Sequence, residues 1–69
     1  QMCNFNLLCI FTSISVNCSL RNHNVLSPYS SISKNVCIEN GNLLESGAIL
    51  FEDLESGCIL TNGVVYAND

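Results

Sequence analysis

The chain has 69 residues, of which 48% are hydrophobic and 12% are charged, and its formal net charge is −4. We expect residues 1–69 to form a single small domain with a marginal core, because a chain of this length hides only about 60% of its unfolded surface from water. Arg21 and Lys34 are the two basic residues, which excludes nucleic-acid binding, since that affinity comes from Lys and Arg side chains that neutralise phosphates.

The first predicted element is a long strand over residues 8–20. The even positions from 8 to 20 are apolar apart from one threonine, and the odd positions from 13 to 21 are polar. Successive side chains of a strand point to opposite faces, so a period of two predicts a strand with one buried face. The triplet Asn17-Cys18-Ser19 in this strand is a glycosylation sequon, which makes Asn17 the candidate acceptor.

Residues 21–35 are predicted to form a loop. The segment is rich in Asn and Ser and contains the one proline of the chain, and these residues favour turns through local hydrogen bonds. His23 lies in this segment. We interpret it as a solvated loop histidine, and the alternative is a pH-sensitive or metal-binding imidazole.

Residues 36–67 are predicted to form repeated short strands. The phrase Leu-Glu-Ser-Gly-Ala-Ile-Leu at 44–50 returns at 54–60 with one substitution. Gly41, Gly47, Gly57 and Gly63 recur in these units as turn-forming residues, because glycine enters φ > 0 without a Cβ clash. The pair Asn62-Gly63 between two apolar runs predicts a hairpin.

Two all-β architectures fit these elements. The first is a small antiparallel meander or barrel, and the second is a short β-solenoid in which the glycine-punctuated units stack as rungs. A three-sided coil needs three six-residue units, and a solenoid needs several repeats before it is stable alone. The four units between residues 38 and 66 therefore favour the meander, unless copies of the chain stack on one another.

The five cysteines predict a disulfide-linked protein of an oxidising, extracellular compartment. No pair of them stands in a Cys-x-x-Cys arrangement, so a zinc site is not predicted. Because five is an odd number, one thiol has no partner within the chain. The alternative is that several cysteines are small buried hydrophobes of a reduced protein. The disulfide candidates are Cys3, Cys9, Cys18, Cys37 and Cys58.

No catalytic residue, cofactor or metal site is predicted, and we expect the protein not to be an enzyme. The chain has one histidine and no Gly-x-Ser-x-Gly elbow. The run Glu52-Asp53-Leu54-Glu55 offers carboxylates of the kind that Ca²⁺ prefers, but neighbouring strand residues point apart, and we interpret the run as a solvated corner. No apolar stretch reaches the 18 residues of a membrane span.

The segment Asn62-Gly63-Val64-Val65-Tyr66 resembles the second half of the mannose-binding motif of the monocot bulb-type lectins, Gln-x-Asp-x-Asn-x-Val-x-Tyr. The resemblance implies a β-prism of short repeated strands that binds carbohydrate through Asn62, Val64 and Tyr66. The first half of the motif differs, because Cys58 stands at the Gln position and Leu60 at the Asp position.

The distribution of charge and apolar residues predicts association with other chains. Residues 1–38 contain both basic residues and no acid, and residues 39–69 contain all six acids. A chain this apolar and lightly charged is poorly suited to remain alone in solution. We therefore expect a non-enzymatic structural or interaction module that self-associates or packs into a larger extracellular assembly. The alternatives are a carbohydrate-binding module and a small accessory subunit of a larger complex.

Overall fold

The computed structural model describes residue 2 and residues 5–67, and it shows an all-β chain wound into a parallel β-solenoid of about three turns. No described residue is helical, so this part of the chain contains no helix that could cross a membrane. The described residues form ten two-residue strands. They are β1 (Leu7–Leu8), β2 (Ser13–Ile14), β3 (Ser19–Leu20), β4 (Val25–Leu26), β5 (Ser31–Ile32), β6 (Cys37–Ile38), β7 (Leu43–Leu44), β8 (Ile49–Leu50), β9 (Ile59–Leu60) and β10 (Val65–Tyr66).

The strands belong to three sheets, which we call faces 1, 2 and 3. Face 1 contains β1, β4, β7 and β9 in that order, face 2 contains β2, β5, β8 and β10, and face 3 contains β3 and β6. Isolated bridges extend face 3 by pairing Met2 with Leu20 and Ile38 with Leu54. Every pairing is parallel, because the chain visits the three faces in turn and then begins the next coil.

Paired residues in adjacent coils are separated by a nearly constant number of residues along the chain. On face 1, Leu7 pairs with Val25 and Val25 with Leu43, which is a step of 18 residues. Leu43 pairs with Ile59, which is a step of 16 residues. The last coil is therefore two residues shorter than the others. Gly47 and Gly57 are ten residues apart because the corner between β8 and Leu54, which lies between them, has no left-handed residue.

Each corner between faces, except the one between β8 and Leu54, places one residue in the left-handed region of φ. These corner residues recur at every sixth position through residue 47, and the spacing then widens once in the short coil. Six of them are not glycine, although a left-handed residue with a Cβ costs about 1–2 kcal/mol. The corner residues are Phe5, Phe11, Asn17, His23, Tyr29, Asn35, Gly41, Gly47, Gly57 and Gly63.

The core is a stack of aliphatic side chains from the second residue of each strand. Leu26, Ile38, Leu44 and Leu50 have no exposed surface. The residues two positions before them are also buried, and they are Asn24, Val36, Asn42 and Ala48. The core therefore contains two inward residues per six-residue unit. Its buried hydrophobic members are Cys18, Leu20, Leu26, Ile32, Val36, Ile38, Leu44, Ala48, Leu50, Leu54 and Leu60.

The predicted long strand over residues 8–20 is wrong. The segment contains β1, β2 and β3, separated by corners at Phe11 and Asn17. Its alternation does not continue across a corner, and Ile10 and Val16, which a continuous strand would bury with Leu8 and Leu20, are 66% and 71% exposed. Each corner turns the chain to a new face and resets which positions point inward.

The predicted loop over residues 21–35 is also wrong, because β4 and β5 lie within it. Its polar residues form corners and inward hydrogen bonds. The predicted hairpin at Asn62-Gly63 is wrong as well, since β9 belongs to face 1 and β10 to face 2. The favoured antiparallel meander is therefore replaced by the alternative, a short β-solenoid, in which the glycine-punctuated units stack in parallel.

Candidate interaction surface

Edge strands bound the solenoid at both ends. We call Met2, β1 and β2 the N-terminal rung, and Leu54, β9 and β10 the C-terminal rung. β1 and β9 are the outermost strands of face 1, and β2 and β10 are the outermost strands of face 2. An edge strand presents a row of N–H and C=O groups that can pair with another strand. Both rungs therefore offer backbone groups as well as side chains to a partner.

Core-facing side chains of face 2 lose their cover at the two rungs. On face 2, Ile14, Ile32, Leu50 and Tyr66 occupy equivalent places in successive coils. The inner pair, Ile32 and Leu50, are 2% and 0% exposed, whereas Ile14 and Tyr66 are 36% and 38% exposed. The core is thus uncovered on face 2 at each end, whereas the core-facing residues of faces 1 and 3 in the C-terminal rung stay buried.

The outward side chains of the rungs are also largely apolar. In the N-terminal rung, Leu7 of β1 is more than half exposed, and in the C-terminal rung, Ile59 and Val65 are equally open to solvent. The equivalent outward residues of the inner strands on face 1, Val25 and Leu43, are half-buried. Exposed apolar surface is therefore concentrated at the ends of the solenoid.

Two pairs of stacked rings stand on the corners that flank face 1. Phe5 stacks on His23 with ring centroids 5.1 Å apart, and Phe11 stacks on Tyr29 with centroids 5.0 Å apart. The rings of each pair come from adjacent coils at equivalent corners. The next two coils have glycine at these corners, so the aromatic columns end halfway along the solenoid.

Charged residues are absent from both end segments. Residues 5–20 and residues 56–67 contain none. Five of the six acids lie between these segments, and three of them, Glu52, Asp53 and Glu55, flank Leu54 at the border of the C-terminal rung. Arg21 approaches Glu39 of the next coil, with Nε 3.6 Å from Oε1, and such an exposed pair contributes at most about 1 kcal/mol.

A buried column of asparagine side chains joins the coils on the inside of face 1. The Oδ1 atom of Asn6 accepts the Asn24 N–H at 3.0 Å, that of Asn24 accepts the Asn42 N–H at 2.9 Å, and that of Asn42 accepts the Cys58 N–H at 2.7 Å. Asn24 and Asn42 are 0% and 1% exposed. These side chains fix the stacking of the coils, which is a structural role.

No disulfide joins any two of the four cysteines that the structure describes, Cys9, Cys18, Cys37 and Cys58. Disulfide linkage among them was predicted, but none of these four lies beside another in adjacent coils. Ser19 pairs with Cys37, for example, and Asn42 lies beside Cys58. Cys3 lies outside the described residues, and the extracellular location stays a prediction.

Cys37 is a thiol with an altered acidity on the outside of face 3. Burial raises its pKa, and the nearby carboxylates of Glu39 and Asp53 raise it further because they disfavour a second negative charge. The Cys37 Sγ lies 3.7 Å from Glu39 Oε2. Since the thiolate is the reactive form of cysteine, this position is poorly suited to a nucleophile.

The other sequence-predicted candidates lie apart from one another. His23 is an exposed corner residue stacked on Phe5, and Asn17 is an exposed corner residue whose Nδ2 donates to Asn35 Oδ1 at 2.8 Å. The Asp53 Oδ1 accepts the Cys37 N–H at 2.8 Å. No cluster of His, Cys, Asp and Glu side chains suited to a metal ion occurs among the described residues.

The residues of the lectin-like segment fall on two sides of the last coil. Asn62 is an exposed corner residue, whereas Val64 is half-buried and packs against the core. Tyr66 occupies the core-facing place of β10. Carbohydrate binding through these three residues stays a prediction, and the inward position of Val64 gives it no geometric support.

The repeat that builds the solenoid is visible in the sequence but is longer than the one recognised there. The phrases Asn-Phe-Asn-Leu-Leu, Asn-His-Asn-Val-Leu and Asn-Gly-Asn-Leu-Leu begin at positions 4, 22 and 40. Their spacing equals the 18-residue step between the described coils. A search for self-similarity at that period would have identified the coils and the asparagine column.

Comparison with protein-family models, with curated proteins and with solved structures gave no match to this chain.

Proposed function

We propose that this protein is a non-enzymatic assembly module that self-associates by placing its end rungs against other β-coils. The observation that carries the proposal is the uncovering of the core on face 2 at both ends, where Ile14 and Tyr66 are 36% and 38% exposed while their equivalents inside are buried. A new coil against either end would restore the environment that the inner coils already have.

Apolar burial supplies the driving force of this association. Fully burying an aliphatic or aromatic side chain contributes about 1.5–3 kcal/mol, and each rung exposes several such side chains. The exposed large hydrophobic residues of the two rungs and their corners are Met2, Phe5, Leu7, Ile10, Phe11, Ile14, Val16, Ile59, Val65 and Tyr66. Even partial cover of such a surface offsets a substantial part of the entropy lost on association.

Backbone pairing supplies the specificity. Strands within the chain pair in one direction and with one register per coil, and edge strands of the same length and spacing favour the same pairing from outside. The end segments contain no charged side chain, and proteins commonly use such charges, especially lysine, to prevent edge-to-edge association. On faces 1 and 2, the ends of this solenoid therefore lack the usual protection against pairing.

Sedimentation velocity tests the proposal. We expect the unmodified chain to sediment well above its monomer mass of 7.5 kDa, with a distribution that shifts with concentration. The double variant Leu7→Lys/Ile59→Lys places a charge on both outermost strands of face 1 and should remain monomeric. The matched control Val25→Lys/Leu43→Lys changes the inner strands of the same column and should still associate.

Two results would contradict the proposal. One is an unmodified chain that stays monomeric up to the highest soluble concentration. The other is equal loss of association in the double variant and its matched control, since the rungs would then have no special part. Circular dichroism on every variant checks that the β-solenoid has formed.

A further inference from the structure

The two rungs have the same arrangement of strands. The core-facing residues of the N-terminal rung are Met2 on face 3, Leu8 on face 1 and Ile14 on face 2. Those of the C-terminal rung are Leu54, Leu60 and Tyr66, on the same faces in the same order. Neighbouring members of each set are six residues apart. The same shift in residue number therefore relates the core-facing residue on each face of one rung to the core-facing residue on that face of the other rung.

We infer that the partner of each C-terminal rung is the N-terminal rung of a second copy of this chain, stacked head to tail so that the copies form an open, continuous solenoid. The inference rests on the proposed function and names the partner and its register. In this stack Leu54 lies beside Met2 of the next copy, Leu60 beside Leu8, and Tyr66 beside Ile14. All three pairings are parallel, as they are between coils of one chain.

The corners support the same register. It places Phe5 of the next copy at Gly57 and Phe11 of the next copy at Gly63. A Cβ at either glycine would have no atom within 4 Å, so these corners have space beside the backbone for an aromatic ring. An aromatic corner beside a glycine corner already occurs within the chain, in the opposite order, because His23 and Tyr29 are followed one coil later by Gly41 and Gly47.

Charge and coverage favour head-to-tail stacking over end-to-end contacts between like rungs. Contact between two C-terminal rungs would bring together the carboxylates of Glu52, Asp53 and Glu55 from both copies. Contact between two N-terminal rungs would leave Tyr66 and Ile59 of both copies uncovered. Head-to-tail contact sets the acid-flanked rung against residues 1–38, which contain no acid, and covers both kinds of end with one interface. Such an interface repeats without closing and produces filaments.

Two single variants, each with one blocked rung, test whether the contact joins unlike rungs. We expect Leu7→Lys alone and Ile59→Lys alone to be monomeric. In each variant, the rung that stays open could pair only with the opposite rung of another copy, and that rung carries the introduced lysine. An equimolar mixture should form a one-to-one heterodimer, which sedimentation velocity with one variant fluorescently labelled detects. Self-association of either single variant would mean contact between like rungs and would overturn the inference while leaving the proposed function intact.

Cysteine cross-linking tests the register. The stack places Cys9, a half-buried free thiol, beside Thr61 of the preceding copy, at about the 4.8 Å separation of paired strands, which a disulfide can span. After mild oxidation of the Thr61→Cys variant, peptide mass spectrometry should find Cys9 of one copy linked to the residue introduced at position 61 of another. Thr61→Cys/Cys9→Ser is the matched control and should lose this link.

The outcomes separate the two proposals. A link between two Cys9 residues, or none between positions 9 and 61 in an associated sample, would refute head-to-tail stacking alone. A chain that neither sediments as an assembly nor cross-links would refute both.

Discussion

Leu43 and Leu44 are adjacent, identical residues that the solenoid places in opposite environments. Leu44 has no exposed surface and lies in the core between Leu26 and Leu60, whereas Leu43 lies half-buried on the outside of face 1. Replacing a buried leucine by alanine costs about 2–5 kcal/mol, because apolar contacts are lost and a cavity remains. A chain of this length has a total stability of roughly 3–10 kcal/mol, so we expect Leu44→Ala to remove a large part of it.

Urea denaturation followed by circular dichroism measures the effect. For Leu44→Ala we expect a loss of about 3 kcal/mol, which lowers the urea midpoint by about 2 M if the m-value is about 1.5 kcal/mol/M. For Leu43→Ala we expect a loss of at most about 1 kcal/mol. Both are measured at low protein concentration, since association adds to apparent stability. Equal losses would refute the assignment of residues 43 and 44 to opposite sides of β7.

Three further predictions concern a corner, the asparagine column and a thiol. Gly47→Ala should cost about 1–2 kcal/mol, because φ is +76° at this corner and a Cβ is strained there; thermal denaturation beside the unmodified chain measures it. Asn42→Ala should cost about 1–3 kcal/mol because the Cys58 N–H loses its acceptor, and hydrogen exchange at that amide should become faster. Cys37 has a raised pKa through burial and the Glu39 and Asp53 carboxylates, so its alkylation rate should reach its midpoint at a higher pH in the folded protein than in the urea-unfolded chain. Glu39→Gln should move that midpoint down, and an unchanged midpoint would contradict the assigned cause.

Much of the local structure could be predicted from the sequence. Apolar residues with β-branching, frequent turn residues and the absence of a helical stripe indicate β-structure, and no described residue is helical. The four glycines at 41, 47, 57 and 63 are all in the left-handed region of φ. The repeated phrase at 44–50 and 54–60 does correspond to corner-plus-strand units, which stack as rungs in the short-solenoid alternative.

The first half of the chain shows why the sequence alone does not predict the full architecture. A glycine marks a left-handed corner openly, but Phe5, Phe11, His23 and Tyr29 occupy the same kind of corner and carry no such signal. If those corners are not recognised, the inward-facing residues resemble the alternation of a single strand over residues 8–20, because they are two residues apart within each unit and the units recur every six residues. Stacked rings at 5.1 and 5.0 Å accompany these strained corners, and that contact exists only between adjacent coils.

By itself, the sequence determined that the chain is β, that the extended segments of its second half are short, and that the chain is apolar and lightly charged, because these follow from residue type and local spacing. The tertiary structure decided the parallel pairing, the three faces, the separation of the cysteines and the uncovered rungs. Each of these depends on residues 16 or 18 positions apart being brought side by side. Local preference does not specify such contacts, since they form only when successive coils bury a common core.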